Sequence, residues 1–223
     1  MGIISIFYSG MDFGAALIFL AMWVAVVLVA ITCHEFAHAY AAYKCGDSTA
    51  KERGRLTLNP IKHLDLFGFL MLVLVGFGWA KPVPGNPQRF RSFKRDMTIV
   101  SLAGITVNLI LGIAGVALCI LFQYLMGAVD YNVFYYFFQF FYLFSIINFI
   151  LAIFNLLPIY PLDGFMFIST HLKYDNPFVV FMQRNGMFVL IALLVGLSLA
   201  GLYIGSLADY IYEFFFKLFT WGW

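Results

Sequence analysis

Four stretches of the chain, at about 14–43, 97–127, 133–158 and 186–207, are almost unbroken runs of apolar residues. A helix needs about 20 such residues to cross the roughly 30 Å hydrocarbon core of a bilayer, where only a helix or a closed barrel satisfies its own backbone. Runs of this length make the chain an all-α polytopic membrane protein with about four transmembrane helices. Composition agrees, because 63% of the 223 residues are hydrophobic and 11% charged, well away from the balance of soluble domains. A net charge of +2 gives no basis for nucleic acid as a partner. The lipid bilayer is the expected one.

Positive charge stays in cytoplasmic loops, so Lys and Arg fix the topology. A fifth apolar stretch, 64–80, is shorter, contains Gly68, Gly76 and Gly78, and has basic residues on both sides: Lys44, Lys51, Arg53, Arg55 and Lys62 before it, Lys81, Arg89, Arg91, Lys94 and Arg95 after it. Both of its ends read as cytoplasmic, which makes it a re-entrant segment, with a β-hairpin as one conformation open to it. The chain would start outside, cross four times and end outside, with Lys217 alone on the wrong side. The tail from Ala208 is rich in Tyr, Phe and Trp and suits the membrane interface. The first dozen residues hold no Lys or Arg, so the first apolar segment is expected to be retained and not cleaved as a signal peptide. No repeat or long linker divides the sequence, and residues 1–223 read as one membrane domain. Cys33, Cys45 and Cys119 have no metal-type spacing and imply no disulfide framework.

Against this apolar background, "HEFAH" at 34–38 places two histidines and a glutamate inside the first run. Each ionisable residue at helix-centre depth costs roughly 2.5–3.5 kcal/mol on insertion scales, so the trio needs a reason. His34 and His38 are four residues apart, on one helical face, and both rings can reach a single metal. Glu35 lies roughly 100° around the helix, where it can act as general base toward water without ligating the metal. His34 is ten residues before Lys44, about 15 Å of helix, which submerges the motif below the cytoplasmic surface.

A catalytic zinc takes three protein ligands, so a third lies elsewhere. His63, Asp65, Asp163, His171 and a few loop carboxylates are the pool. Asp163 has the most suitable context. "FNLLPIYPLDG" puts Pro158 and Pro161 at the cytoplasmic end of the third run, where they unwind the helix, and Gly164 permits a tight turn. A simple helix-ending Asp-Gly turn is the competing reading. Ser101, Gly104, Asn108, Gly112 and Gly115 give the second run one small face with a single amide in its middle. Asn108 is either glue between helices or a polar contact to a substrate or its oxyanion, and Asn155 divides the same way. His63 and His171 read as interfacial residues tied to loop carbonyls or phosphates.

Taken together, "HEFAH", "GRLTLNPIKHLD", "GWAKPVPGNPQRF", "SLAGITVNL" and "NLLPIYPLDG" resemble the site-2 proteases, intramembrane zinc metalloproteases, in the compact branch without PDZ or CBS domains. The resemblance covers most of the chain. It implies Zn2+ held by His34, His38 and Asp163, Glu35 as catalytic acid/base, Asn108 and Asn155 near the substrate, and a transmembrane protein as substrate. The chain departs from the pattern at Ile105, Phe165 and Leu66, none of them a ligand position. A divalent metal transporter built on the same buried His, Glu and Asp cluster is the alternative. A haem protein is not, because two His four apart on one helix cannot ligate opposite faces of one haem.

Overall fold

The computed structural model describes residues 10, 12–75, 78–128, 131–200 and 204–221. They form helices α1 (Phe13–Lys44), α2 (Thr49–Glu52), α3 (Pro60–His63), α4 (Leu66–Val75), α5 (Phe93–Ala128), α6 (Tyr131–Leu156), α7 (Asp163–His171), α8 (Pro177–Leu199) and α9 (Ile204–Thr220). Four of these, α1, α5, α6 and α8, are long and apolar enough to cross a membrane. The chain is an all-α polytopic membrane protein.

Each long helix is delimited by local chemistry. Asp12 caps α1 by accepting the Gly14 and Ala15 N–H groups, placing an anion at the positive end of the helix dipole. The other end closes as a Schellman motif: the Asp47 N–H reaches Ala42 O and the Gly46 N–H reaches Tyr43 O, with Gly46 at φ 111° where a side chain would be strained. Asp96, in the first turn of α5, accepts the Ser92 N–H at 2.8 Å. The last membrane helix begins at Pro177, nine residues before the expected start at 186, because Asn176 caps it and Pro177 suits its first turn. Gln183, Arg184 and Asn185 then ride within the helix. They are polar, but nothing in them breaks a helix. The helix also ends earlier than the expected 207, at Leu199, and α9 starts at Ile204.

The small face of α5 lets three helices meet closely. A Cβ on Gly112 would strike the Phe149 ring, and one on Gly115 would strike Ser145 Oγ, both on α6. Trp23, Val26, Val27 and Ala30 of α1 pack against Phe144 and Ile147 of α6. The aromatic run at 133–144 serves as packing surface, with Phe122 of α5 stacked between Phe137 and Phe141. The tail is not an isolated surface helix. Phe215 stacks on Phe149, Tyr212 packs edge-on against Tyr142, and the Tyr142 hydroxyl donates to Asp209, so α9 runs beside α6.

The 64–80 stretch is not a β-hairpin. Its described part is the helix α4, and strand character is confined to a single antiparallel bridge between Leu64 and Ala80. Leu, Phe and Met are good enough helix formers that an isolated apolar segment closes its own hydrogen bonds in preference to sharing them across a two-strand ribbon. The bridge pins the two ends together. Residues 76 and 77 of this stretch lie outside the described set.

An extended segment, 80–86, follows and is tied down at three points. Lys81 N–H donates to His63 O at 2.9 Å, Arg55 donates to Lys81 O at 2.6 Å, and Asn86 N–H donates to Asp47 Oδ2 at 2.5 Å. Asp47 is fully buried, and its Oδ1 also accepts the Thr49 N–H and hydroxyl. Burial alone would raise this carboxyl, but the Thr49 and Asn86 donors, with Arg89 nearby, hold it below the usual carboxylate range. A depressed carboxyl contributes stability above its unfolded pKa, about 3.9, that is lost as pH falls below that value. Replacement Asp47→Ala orphans buried donors and is expected to cost about 3 kcal/mol near neutral pH. Thermal unfolding in detergent from pH 7 to 3 checks both, since the variant should lack that acid-dependent share of the loss.

Candidate metal centre

His34 and His38 lie on the face of α1 that meets α5, and the reason they fit is Gly104. A Cβ at that position would fall on Cε1 and Nδ1 of His34 and Nε2 of His38. Each ring is then held from behind. His34 Nδ1 lies 2.6 Å from Asn108 Oδ1, and His38 Nδ1 lies 2.8 Å from the Val100 carbonyl oxygen. Both partners are acceptors, so each imidazole carries its proton on Nδ1 and turns the lone pair of Nε2 forward.

Asp163 comes from the opposite direction. Pro158 cannot continue α6, the chain unwinds over 157–162, and Asp163 opens α7. Gly164 does not make the expected tight turn: it is a buried helical residue, and a Cβ there would strike the Leu156 and Leu157 carbonyl oxygens at the end of α6. That close approach swings the carboxylate toward α1. Asp163 Oδ2 sits 3.2 Å from His34 Nε2 and 3.2 Å from His38 Nε2, and the two Nε2 atoms are 3.0 Å apart.

Among the described residues, this is the cluster of His, Cys, Asp and Glu able to hold a metal. Asp163 Oδ2 is buried and has no hydrogen-bond partner, despite its nearness to two ring nitrogens. No N–H points at it. Three lone-pair donors therefore converge without a proton between them, which is repulsive in a buried site unless a cation lies among them. Ligand atoms around a tetrahedral ion with bonds of about 2.0–2.2 Å lie about 3.3–3.6 Å apart, a few tenths of an ångström above the separations here. The donor set fits a small divalent ion.

Glu35 stands beside this centre without joining it. Its Oε2 accepts the Val83 N–H at 3.1 Å, which fixes the carboxylate between α1 and the 80–86 segment. Asn108 is fully buried, and its amide is engaged by His34, by Asn148 Oδ1 at 2.8 Å and by Ala30 O at 3.4 Å. Asn155 donates to Leu151 O of its own helix at 3.0 Å. His63 is buried and tied to a loop carbonyl, with Nε2 on Thr57 O. His171 Nδ1 bonds to Phe167 O, and the ring stays exposed. Asn148 escaped the sequence reading, although the cost argument that singled out His34 applies equally to an amide in the run "LFSIINFILAIF". The Val100 carbonyl and the Val83 amide had no sequence signal, since backbone groups have none.

The chain is 46% identical over 147 residues to "Putative zinc metalloprotease YwhC" of Bacillus subtilis, a match covering 64% of this chain and 65% of the relative. It is 29% identical over 190 residues to "Putative zinc metalloprotease Rip2" of Mycolicibacterium smegmatis, covering 82% of this chain and 68% of the relative. A third similarity, 33% over 152 residues to "Putative zinc metalloprotease Rip2" of Mycobacterium tuberculosis, covers 66% of this chain and 55% of the relative. The matched region is thus just under two thirds of YwhC. No protein-family profile and no solved structure matches.

Gly104→Ala is expected to abolish metal binding, because the added methyl occupies the space of both imidazoles, while helix content survives. Metal content after purification, read beside circular dichroism, checks this.

Proposed function

We propose that the chain, which is similar to the putative zinc metalloproteases YwhC and Rip2, is of the site-2 protease type: an intramembrane zinc metalloprotease that hydrolyses peptide bonds within or near transmembrane helices of other membrane proteins. The observation that carries the proposal is the buried convergence of His34 Nε2, His38 Nε2 and Asp163 Oδ2 beside a carboxylate, Glu35, that is not one of the three. A transport site needs the ligands. It has no need of the extra acid.

His34, His38 and Asp163 would hold the Zn2+ that the names of the relatives imply. When bound, the ion supplies Lewis acidity toward water and the scissile carbonyl. Glu35 accepts a proton from the attacking water at its carboxylate and returns it to the leaving amine. The Val83 N–H engages only Oε2, which leaves the remaining lone pairs of the carboxylate for that water. The bundle of α1, α5 and α6 excludes bulk water around the rings, which keeps these polar contacts strong.

A substrate helix hides its carbonyls in its own hydrogen bonds and must unwind before Glu35 can serve it. The extended 80–86 segment, next to Glu35, is the place where an unwound strand would lie. Pro82 and Pro84 lack N–H groups, so Val83 is the one backbone donor between Lys81 and Gly85. The basic loops on both sides of 64–80 support an opening toward the cytoplasm, and the bacterial origin of the relatives supports a prokaryotic cell membrane.

Glu35→Gln is expected to keep one zinc per chain and to lose cleavage of a transmembrane peptide substrate by at least about 10³-fold, a general acid–base effect joined to loss of water activation. Zinc stoichiometry and a gel-based cleavage assay in detergent measure the two. Retained metal flux into vesicles by Glu35→Gln, with no cleavage by the wild type, would favour transport.

A further inference from the structure

The amide of Asn108 decides whether His34 can be a ligand. With Oδ1 toward the ring, His34 keeps its proton on Nδ1 and offers a lone pair at Nε2. Turned over, Asn108 would present N–H groups to Nδ1, and the neutral ring would carry its proton on Nε2, aimed at His38 and Asp163. Nothing in Asn108 itself chooses between these states. The choice is made one residue further out.

Asn108 Nδ2 donates to Asn148 Oδ1 at 2.8 Å, and Asn148 Nδ2 donates to the Phe144 carbonyl oxygen at 2.8 Å. A backbone carbonyl can only accept, so Asn148 cannot turn over without setting its own oxygen against Phe144 O. Asn108, in turn, cannot turn over without setting Oδ1 against Asn148 Oδ1. Both side chains are 0% exposed, and no solvent is at hand to relieve such a clash of acceptors. The weaker contact from Asn108 Nδ2 to Ala30 O, 3.4 Å, favours the same orientation.

We propose that Asn148 is a positioning residue for the metal ligand His34, acting through Asn108 to fix the ring tautomer, with the Phe144 carbonyl as the anchor of the chain. The proposal rests on the metalloprotease reading above. It assigns a role at the metal to a residue on α6 whose hydrogen bonds run to Asn108 and Phe144 O and to none of the three ligands. The competing role is plain interhelical glue between α5 and α6, which would support the fold and leave metal affinity alone.

Three measurements on the purified full chain in detergent separate the two: zinc affinity by competition with a chromophoric chelator, the melting midpoint of the metal-free protein, and the visible spectrum of the Co2+-substituted protein. Asn148→Leu is expected to weaken zinc about 10-fold, the lower end of the range for partners that orient ligands, and to alter the cobalt bands. Ser145→Ala, one turn away and bonded to Phe141 O outside this chain of amides, should leave both unchanged. In a double-mutant cycle, Asn148→Leu should add little to the loss caused by Asn108→Leu, since both break one path. Should Asn148→Leu fail to fold, Asn148→Ser carries the same expectation, because a serine hydroxyl can bond to Phe144 O but cannot reach Asn108. A lowered melting midpoint with zinc affinity and cobalt spectrum intact would overturn the proposal, as would fully additive losses. Absence of zinc affinity in the wild type would instead overturn the metalloprotease reading beneath it.

Discussion

Three lone pairs aimed at one another inside a membrane protein are a liability that the rest of this molecule is arranged to sustain. His34, His38 and Asp163 approach within 3.0–3.2 Å of each other, and no donor satisfies the carboxylate oxygen. Left as neutral rings and a carboxylate, the set would relax apart or take up a proton. It is held together by groups that have other anchors: the Val100 carbonyl and Asn108 behind the rings, and the Leu156 and Leu157 carbonyls packed on Gly164 behind the acid. A cation turns this repulsion into binding, so the effort of preorganisation is recovered when metal arrives.

Helix α5 carries most of that arrangement without contributing a ligand. Its small face accepts both imidazoles at Gly104, the His34 proton at Asn108, the Phe149 ring at Gly112 and Ser145 at Gly115. In lipid, packing of this kind replaces the hydrophobic drive that holds soluble helices together. The same spacing that allows close approach therefore also stacks the polar groups at one level of the bundle, where they meet α1 on one side and α6 on the other. Scaffold and site are built from one stripe of residues.

How far the sequence discloses this depends on whether the physical signal is local. Four apolar runs are a one-dimensional property, and the helices follow them. A count of hydrophobic residues misses the start of α8 at Pro177, because the capping chemistry of Asn176 carries the helix through polar residues. The histidine pair is legible because i and i+4 share a face, and Asp163 because prolines announce the break before it. Convergence of the three is not legible in that way. It depends on how closely α1, α5 and α7 approach, and Gly104 and Gly164 set that distance through atoms they lack. The 64–80 segment misled for a related reason: topology constrains where its ends lie, and it says nothing about whether the interior is helix or ribbon.

The position of Glu35 carries the argument one step further. A base placed against the metal would become a fourth ligand, because a carboxylate oxygen at that distance competes with water for the open position. Here Glu35 is turned along α1 by a single residue step and tied to the Val83 amide, whose neighbours Pro82 and Pro84 offer no alternative donor. The tether is made of backbone from the segment that follows α4, and that segment is itself fixed by Asp47, Arg55 and His63 O. On the proposed reading the metal ligands are set by the membrane bundle and the base by the loops, so the two halves of the chemistry are positioned by separate parts of the fold. If the chain is the protease proposed, a strand that pairs with Val83 would bring its carbonyl toward the ion beside Glu35.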